Sequence, residues 1–136
     1  MKRILFLLII LSITIGASGQ TNQNEFNFLV KEIVAHQIPD SISDQVSTGN
    51  CQVTIFENST VKRFKSGARV DQLCISSEEE IFLEDPKFYF EFKKLKINSK
   101  RSFMSLVIMQ RNPFKKVQVL KMKLSYEKVD GNWQKR

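Results

Sequence analysis

The chain has 136 residues, a formal net charge of +7, two cysteines and one histidine. This length suits one domain with a modest hydrophobic core. A metal centre of the zinc type needs three or four converging ligands, and no spacing of cysteine, histidine and carboxylate residues supplies them. We therefore expect a single domain that holds no metal and no cofactor.

The N-terminus has the pattern of a secretory signal peptide. Two basic residues precede an apolar run at 4–15, and Ala17 and Gly19 supply the small residues of a cleavage site. A retained anchor is the alternative, but spanning a bilayer takes about 20 apolar residues, and this run is shorter. We predict cleavage between Gly19 and Gln20 and a secreted or periplasmic domain at 20–136, with no transmembrane segment in it.

The charge of this domain is divided unevenly along the chain. Residues 20–86 carry 5 basic and 11 acidic side chains, whereas residues 87–136 carry 14 basic and 3 acidic ones. Such asymmetry indicates either a polyanionic partner or an internal dipole.

A helix is predicted at residues 24–37, because apolar side chains recur there at helical spacing. The side chains of this stripe are Phe26, Leu29, Val30, Ile33 and Val34. Pro39 cannot continue a helix and ends it. The stripe must be buried, and the strands predicted after residue 87 are the surface available to it.

A polar, turn-rich surface segment at 38–50 follows, and strands are predicted at 51–56 and 70–75. A basic segment at 57–69 separates these two strands. Ser77 then opens a short acidic run with the spacing of a helix capping box.

Two cysteines in a secreted chain most often form a disulfide. If the two predicted strands pair directly, Cys51 and Cys74 come opposite each other and the basic segment protrudes as a loop. A tight meander of three strands would instead separate them. We predict direct pairing with a disulfide, and two buried thiols are the alternative.

Three long strands are predicted in the C-terminal half. At 88–97 the apolar residues alternate, and the alternation changes face near Lys93 and Lys94, which indicates a bulge. Residues 103–109 are apolar on both faces, as in a central strand. In the third strand, at 117–126, the apolar positions again change face after Val119.

Turn residues separate these strands. Residues 98–101 form the first turn, and Asn112 before Pro113 indicates the second. Asp130 and Gly131 are a strong signal for a two-residue hairpin. The predicted fold class is α+β, with one N-terminal amphipathic helix packed on a curved antiparallel sheet of about five strands.

This order of elements resembles the cone-shaped nuclear transport factor two-like and cystatin-like α+β folds. The final hairpin, residues 126–133, is also similar to that of small uncharacterised secreted bacterial proteins that end in strand–Asp-Gly-x-Trp. The likeness is one of shape, and shape does not fix function. Residues 45–49 are similar to the Gln-x-Val-x-Gly hairpin with which cystatins enter protease clefts, but Ser47 replaces the central valine. A cystatin-like protease inhibitor is therefore a remote alternative to a simple turn.

The sequence contains no motif that predicts catalysis, so we expect no catalytic residue and no enzyme. His36 lies at the edge of the helical stripe, where a packed or solvated side chain is the usual role. Glu91 alternates with Lys93, which predicts an ion pair or a solvent-facing position rather than a buried acid. Residues 58–60 match an N-glycosylation sequon, which matters only in a eukaryotic secretory pathway.

The remaining signal is a set of basic residues. Its members lie in the basic segment and on the sheet, at Lys62, Arg63, Lys65, Arg69, Lys94, Lys96, Lys121 and Lys123. They predict a non-catalytic binding module for an anionic lipid, an anionic polysaccharide or an acidic protein. A secreted location argues against nucleic acid. The competing interpretation of these lysines is a charged sheet surface that prevents aggregation.

The alternative function is a small-ligand or enzymatic pocket between the helix and the sheet. The side chains that would line it are Phe26, Val30, Phe90, Phe92 and Leu106.

Overall fold

The structure is a computed structural model that describes residues 23–47, 51–65, 73–112 and 115–136. Helix α1 occupies residues 23–36, and the later helices are α2 (Asp40–Ser43), a 3₁₀ turn (Lys62–Phe64) and α3 (Glu78–Glu84). The strands are β1 (Val53–Phe56), β2 (Leu73–Ser76), β3 (Phe88–Ile97), β4 (Arg101–Asn112), β5 (Lys115–Val129) and β6 (Asn132–Lys135). The fold is α+β, as predicted.

Helix α1 packs on one face of the sheet, here called the core face. Phe26, Leu29 and Ile33 have no exposed surface. The ring of Phe26 stacks on Phe64 with centroids 4.3 Å apart and lies 5.6 Å from the ring of Phe92. The helical spacing therefore identified the buried stripe correctly, although the helix ends one residue before the predicted boundary.

The sheet differs from the prediction in strand number and direction. The described residues form six strands in the order β2-β1-β3-β4-β5-β6, and the sheet is not closed. β1 pairs in parallel with both β2 and β3, whereas β3 to β6 are antiparallel. The prediction of an entirely antiparallel sheet of about five strands was wrong, because alternating apolar residues reveal a strand's faces and not the direction of its neighbours.

Parallel pairing of β1 and β2 changes the role of the basic segment, since parallel strands need a crossover rather than a turn. In its described part, residues 57–65, the segment is not a protruding loop. Val61 is fully buried and Phe64 is 5% exposed, and both belong to the core. The segment at 38–50 is likewise more than a surface linker, because Ile38 and Val46 are buried core residues.

The disulfide between Cys51 and Cys74 is present, with 5.7 Å between the Cα atoms. It links the chain just before β1 to the middle of β2. The strands pair directly, as predicted, but in parallel, so Thr54 rather than Cys51 lies opposite Cys74.

Two bulges place the apolar side chains of the long strands on the core face. In β3 the register shifts between Phe92 and Lys94, at the predicted position. In β5, Leu120 pairs with Ile108 and Gln118 with Met109, which leaves Val119 as the extra residue. β4 lies between these strands, as a central strand should.

The turns between the long strands follow the sequence signals where they are described. Asp130 and Gly131 both have positive φ angles, 51° and 80°, which is the geometry of a two-residue hairpin. Asn98 closes the first turn, since its N–H donates to Arg101 O at 3.0 Å. Pro113 lies outside the described residues. None of the described helices is long and apolar enough to cross a membrane.

Candidate functional site

The predicted basic residues fall into separate environments. Lys65 is neutralised, because its Nζ lies 2.8 Å from Glu57 and 3.7 Å from Glu80. The hydrogen bond with Glu57 raises the pKa of Lys65. Lys62 is exposed on the 3₁₀ turn, and Arg69 lies outside the described residues. The other five predicted residues lie on or beside the sheet.

Three of these five meet in an open cleft of about 680 Å³ beside the second half of β3. We call it the basic cleft, and the residues that line it are Ser59, Thr60, Arg63, Lys94, Leu95, Lys96 and Phe103. The cleft exists because β1 is short. It ends beside the middle of β3, and the crossover then passes along the free edge of that strand.

Asn58 fixes the crossover to β3. Its Nδ2 donates to Phe92 O at 2.9 Å, and its Oδ1 accepts from the N–H groups of Thr60 and Val61 at 3.0 and 3.3 Å. Phe64 anchors the other end of the turn in the core. Ser59, Thr60 and Arg63 are thereby held beside the lysines of β3. Since the Asn58 amide is already bonded within the fold, the sequon is a structural turn here.

The bulge in β3 decides which face of the sheet Lys94 and Lys96, two positions apart and therefore on the same side of the strand, occupy. Lys94 pairs with Ser105 and Lys96 with Phe103, so both lysine side chains point to the face opposite α1, here called the outer face. Without the extra residue at the bulge, the preceding phenylalanines and the following leucine could not both reach the core. The bulge is therefore a requirement of packing that also turns this pair of cations to the outer face.

The strand edge adds backbone donors to the cleft. Hydrogen-bonded pairs alternate along an antiparallel ladder, and the pair of Asn98 with Arg101 is bonded. The backbone groups of Lys94 and Lys96 therefore bond to β4. The N–H groups of Leu95 and Ile97 point to the opposite side of β3, along an edge that no described strand covers. β1 pairs with β3 at Phe90 and does not reach this part of the edge.

The cleft keeps its positive charge. Within the described part of the chain, Arg63, Lys94 and Lys96 form no ion pair with a carboxylate. The guanidinium of Arg63 lies 4.7 Å from the centroid of the Phe64 ring, which orients it without cancelling its charge. The carboxylate of Glu91, three residues before Lys94, is 3.0 Å from Lys93 Nζ instead.

Lys121 and Lys123 lie apart from the cleft, on β5. Lys123 pairs with Ser105, which in turn pairs with Lys94, so one row of the outer face carries a lysine on each side of a serine. Both β5 lysines are exposed and lack a carboxylate partner among the described residues. They extend the positive outer face toward the far edge of the sheet.

The five side chains predicted to line a pocket between helix and sheet are part of the core. Phe26, Val30, Phe90, Phe92 and Leu106 all have no exposed surface and belong to the core cluster. A group of three metal-binding side chains is likewise not found among the described residues. His36 is exposed, 3.7 Å from Glu32.

A second polar cluster, which the sequence analysis missed, joins α1 to the last hairpin. Glu25 accepts hydrogen bonds from Lys128 at 2.6 Å and from the indole of Trp133. Burial raises the pKa of the Glu25 carboxyl, but these two hydrogen bonds outweigh that effect and leave the pKa below its usual value. Sequence spacing gave no signal for this contact between distant residues.

The lining of the basic cleft was also missed in part. The prediction named its three cations but not Ser59, Thr60, Leu95 or Phe103. The only local signal for this cleft was the break in alternation at the bulge, which lies just beyond the point where β1 pairs with β3. Comparison with protein-family models, with curated proteins and with solved structures finds no match to this chain.

Proposed function

We propose that this protein is a non-catalytic binding module, and that the basic cleft binds an acidic group of an anionic polysaccharide. The observation that carries the proposal is the convergence of Arg63, Lys94 and Lys96 on one cleft without a carboxylate among their described partners. Like charges placed this close together repel one another, and a bound anion relieves that repulsion.

The cleft offers donors of three kinds to a sulfate or carboxylate group. A guanidinium binds such a group in a bidentate manner, and the lysines add point charges. The hydroxyls of Ser59 and Thr60 and the edge N–H of Leu95 add neutral donors. These groups are all donors or can act as donors, which suits an oxyanion.

The apolar part of the lining supports a sugar rather than a free ion. Phe103 is half-buried and Leu95 is buried, and both line the same cleft as the cations. An aromatic ring and an aliphatic side chain can cover the face of a sugar ring, while the charged groups bind its acidic substituents. An elongated polysaccharide could then continue across the outer face toward Lys123.

The proposal includes export from the cytoplasm. The disulfide supports it, because disulfides form and persist in oxidising compartments. An exported location would also bring the protein into contact with anionic polysaccharides at a cell surface.

The test is binding of the mature protein to a sulfated polysaccharide, measured by isothermal titration calorimetry at low and at high salt. We expect binding that weakens with salt, because exposed charges are screened. Lys94→Glu with Lys96→Glu should weaken binding by about tenfold or more, since each hydrogen bond to a charged group contributes roughly 1.5–3 kcal/mol.

The matched control changes the net charge by the same amount, but at two lysines outside the cleft. Lys115 and Lys135 are exposed and do not line the cleft. Lys115→Glu with Lys135→Glu should change the affinity by less than about threefold. Equal losses in the two double variants would show that only net charge matters, and the cleft proposal would be rejected. Tight binding to anionic vesicles but not to the polysaccharide would assign the site to lipid instead.

A further inference from the structure

A second surface, separate from the basic cleft, lies along the free edge of β5. β5 is 15 residues long, but β6 pairs only with its last four residues, from Tyr126 to Val129. One further hydrogen bond continues that ladder, from Arg136 N to Ser125 O at 2.8 Å. Beyond Ser125, no described strand covers this edge of β5.

The direction of the backbone groups follows from that last hydrogen bond. Bonded and non-bonded positions alternate along an antiparallel strand. Because Ser125 O points toward β6, the N–H and C=O groups of Lys123 and Lys121 point to the same side, where no strand follows among the described residues. The backbone N–H and C=O groups of Met122 and Leu124 point to β4 instead. The edge at 120–124 therefore offers two residues whose backbone donors and acceptors pair with no strand in the described part of the chain.

The side chains of this edge segment differ between its two faces. Lys121 and Lys123 are exposed on the outer face, while Leu124 is buried on the core face. Leu120 and Met122 are only partly buried and pack against the core cluster. An added strand would thus meet positive charge on one face and apolar surface on the other.

A second copy of the chain does not complement this edge. Antiparallel pairing of two copies about Met122 would place Lys121 of each copy directly opposite Lys123 of the other, and like charges in that position are destabilising. Acidic side chains at those positions would be favourable instead. The charges that prevent self-pairing therefore select an acidic strand.

We propose that residues 120–124 of β5 bind an extended segment of a partner protein as an additional antiparallel strand. The segment carries acidic side chains opposite Lys121 and Lys123 and apolar side chains between them. Main-chain hydrogen bonds would supply affinity, and the alternating side chains would supply specificity. This inference does not depend on the proposed polysaccharide site.

The probe is a short capped peptide in which valine and glutamate alternate, with the valine–lysine peptide as its counterpart. Binding is measured by calorimetry and by amide hydrogen exchange of the whole mature protein. We expect the acidic peptide to bind at least about tenfold more tightly. It should slow exchange of the Lys121 and Lys123 amides by at least about tenfold while leaving Met122 and Leu124, already bonded to β4, unchanged.

Two variants separate this surface from the basic cleft. Lys121→Glu with Lys123→Glu should reverse the preference between the two peptides, whereas Lys94→Glu with Lys96→Glu should retain it. The proposal is overturned if the acidic peptide fails to bind, if both peptides bind equally, or if binding leaves exchange at Lys121 and Lys123 unchanged. The last outcome would mean contact through charge alone, without an added strand.

Discussion

The side chain of Tyr126 shows how one residue can limit stability. It is 2% exposed, and its hydroxyl has no hydrogen-bond partner among the described residues. Burial, with a smaller contribution from the negative charge of Glu32, raises the pKa of Tyr126 to about 12. A buried hydroxyl without a partner costs roughly 1–3 kcal/mol. The ring is therefore a major part of the core, while its hydroxyl lowers the free energy of unfolding.

Tyr126→Phe should stabilise the protein at neutral pH by about 1 kcal/mol, because it removes the buried hydroxyl and keeps the ring. The native protein should also lose stability between pH 10 and 12. In that range the unfolded chain releases the phenolic proton while the folded chain keeps it, so the free energy of unfolding falls as the pH rises, by roughly 2–3 kcal/mol in all.

Urea unfolding of both proteins at neutral and alkaline pH measures this effect. The difference in stability between Tyr126→Phe and the native protein should widen with rising pH. Tyr89→Phe is the comparison, since burial raises the pKa of Tyr89 as well, without a comparably large shift. A constant difference across the pH range would contradict the assignment to Tyr126.

At the scale of the elements, the bulges and the strand edges decide which charges are neighbours. The bulge in β3 turns Lys94 and Lys96 to the outer face beside the crossover, and the shortness of β6 leaves Lys121 and Lys123 at an edge that no described strand covers. Lysines on an edge strand are a common protection against pairing between copies. That role and the binding of an acidic strand have the same electrostatic origin.

If repulsion between these lysines prevents pairing of two copies, reversing one charge should promote self-association. Lys123→Glu would replace both opposed lysine pairs of a β5–β5 contact with Lys–Glu pairs, so dimerisation should become stronger than in the native protein by about tenfold. Sedimentation equilibrium at low salt measures it. Lys121→Glu with Lys123→Glu restores like charges across the contact and should not dimerise more than the native protein. Dimerisation of both variants, or of neither, would contradict the predicted pairing.

At the scale of the whole molecule, the acidic and basic halves of the sequence neutralise each other only in part. Lys128 contacts Glu25, Lys116 contacts Glu78, and Arg111 lies 3.3 Å from Asp85. The lysines of the cleft and of the β5 edge take no part in such pairs among the described residues. The ion pairs between the halves account for part of the charge asymmetry, and a polyanionic partner for the remaining lysines stays a prediction.

The disulfide stabilises the parallel end of the sheet. Cys51 and Cys74 are 23 residues apart in the sequence, and a bridge closing a loop of that size contributes about 3 kcal/mol in the chain-entropy account. Cys51→Ser with Cys74→Ser should lower the free energy of unfolding by about that amount, measured by urea unfolding. Reduction of the native protein should give a similar loss. A change below about 1 kcal/mol would contradict the chain-entropy account of this bridge.

The sequence by itself determined the features that depend on neighbours along the chain. The buried stripe of α1, the bulge at Lys93 and Lys94, and the Asp130–Gly131 hairpin follow from local periodicity or from backbone conformations that few residues adopt. The disulfide was predicted with two buried thiols as the alternative, and its presence is confirmed.

Only the tertiary structure decided how distant elements meet. Alternation does not encode strand direction, so the parallel pairing of β1 with its neighbours was not predictable. The basic cleft depends on that pairing, because the crossover carries Arg63 to Lys94 and Lys96 only when β1 runs parallel to β3. The free edge of β5 depends on the length of β6. Charge could be counted in the sequence, but which charges stay unpaired is set by contacts between residues far apart in the chain.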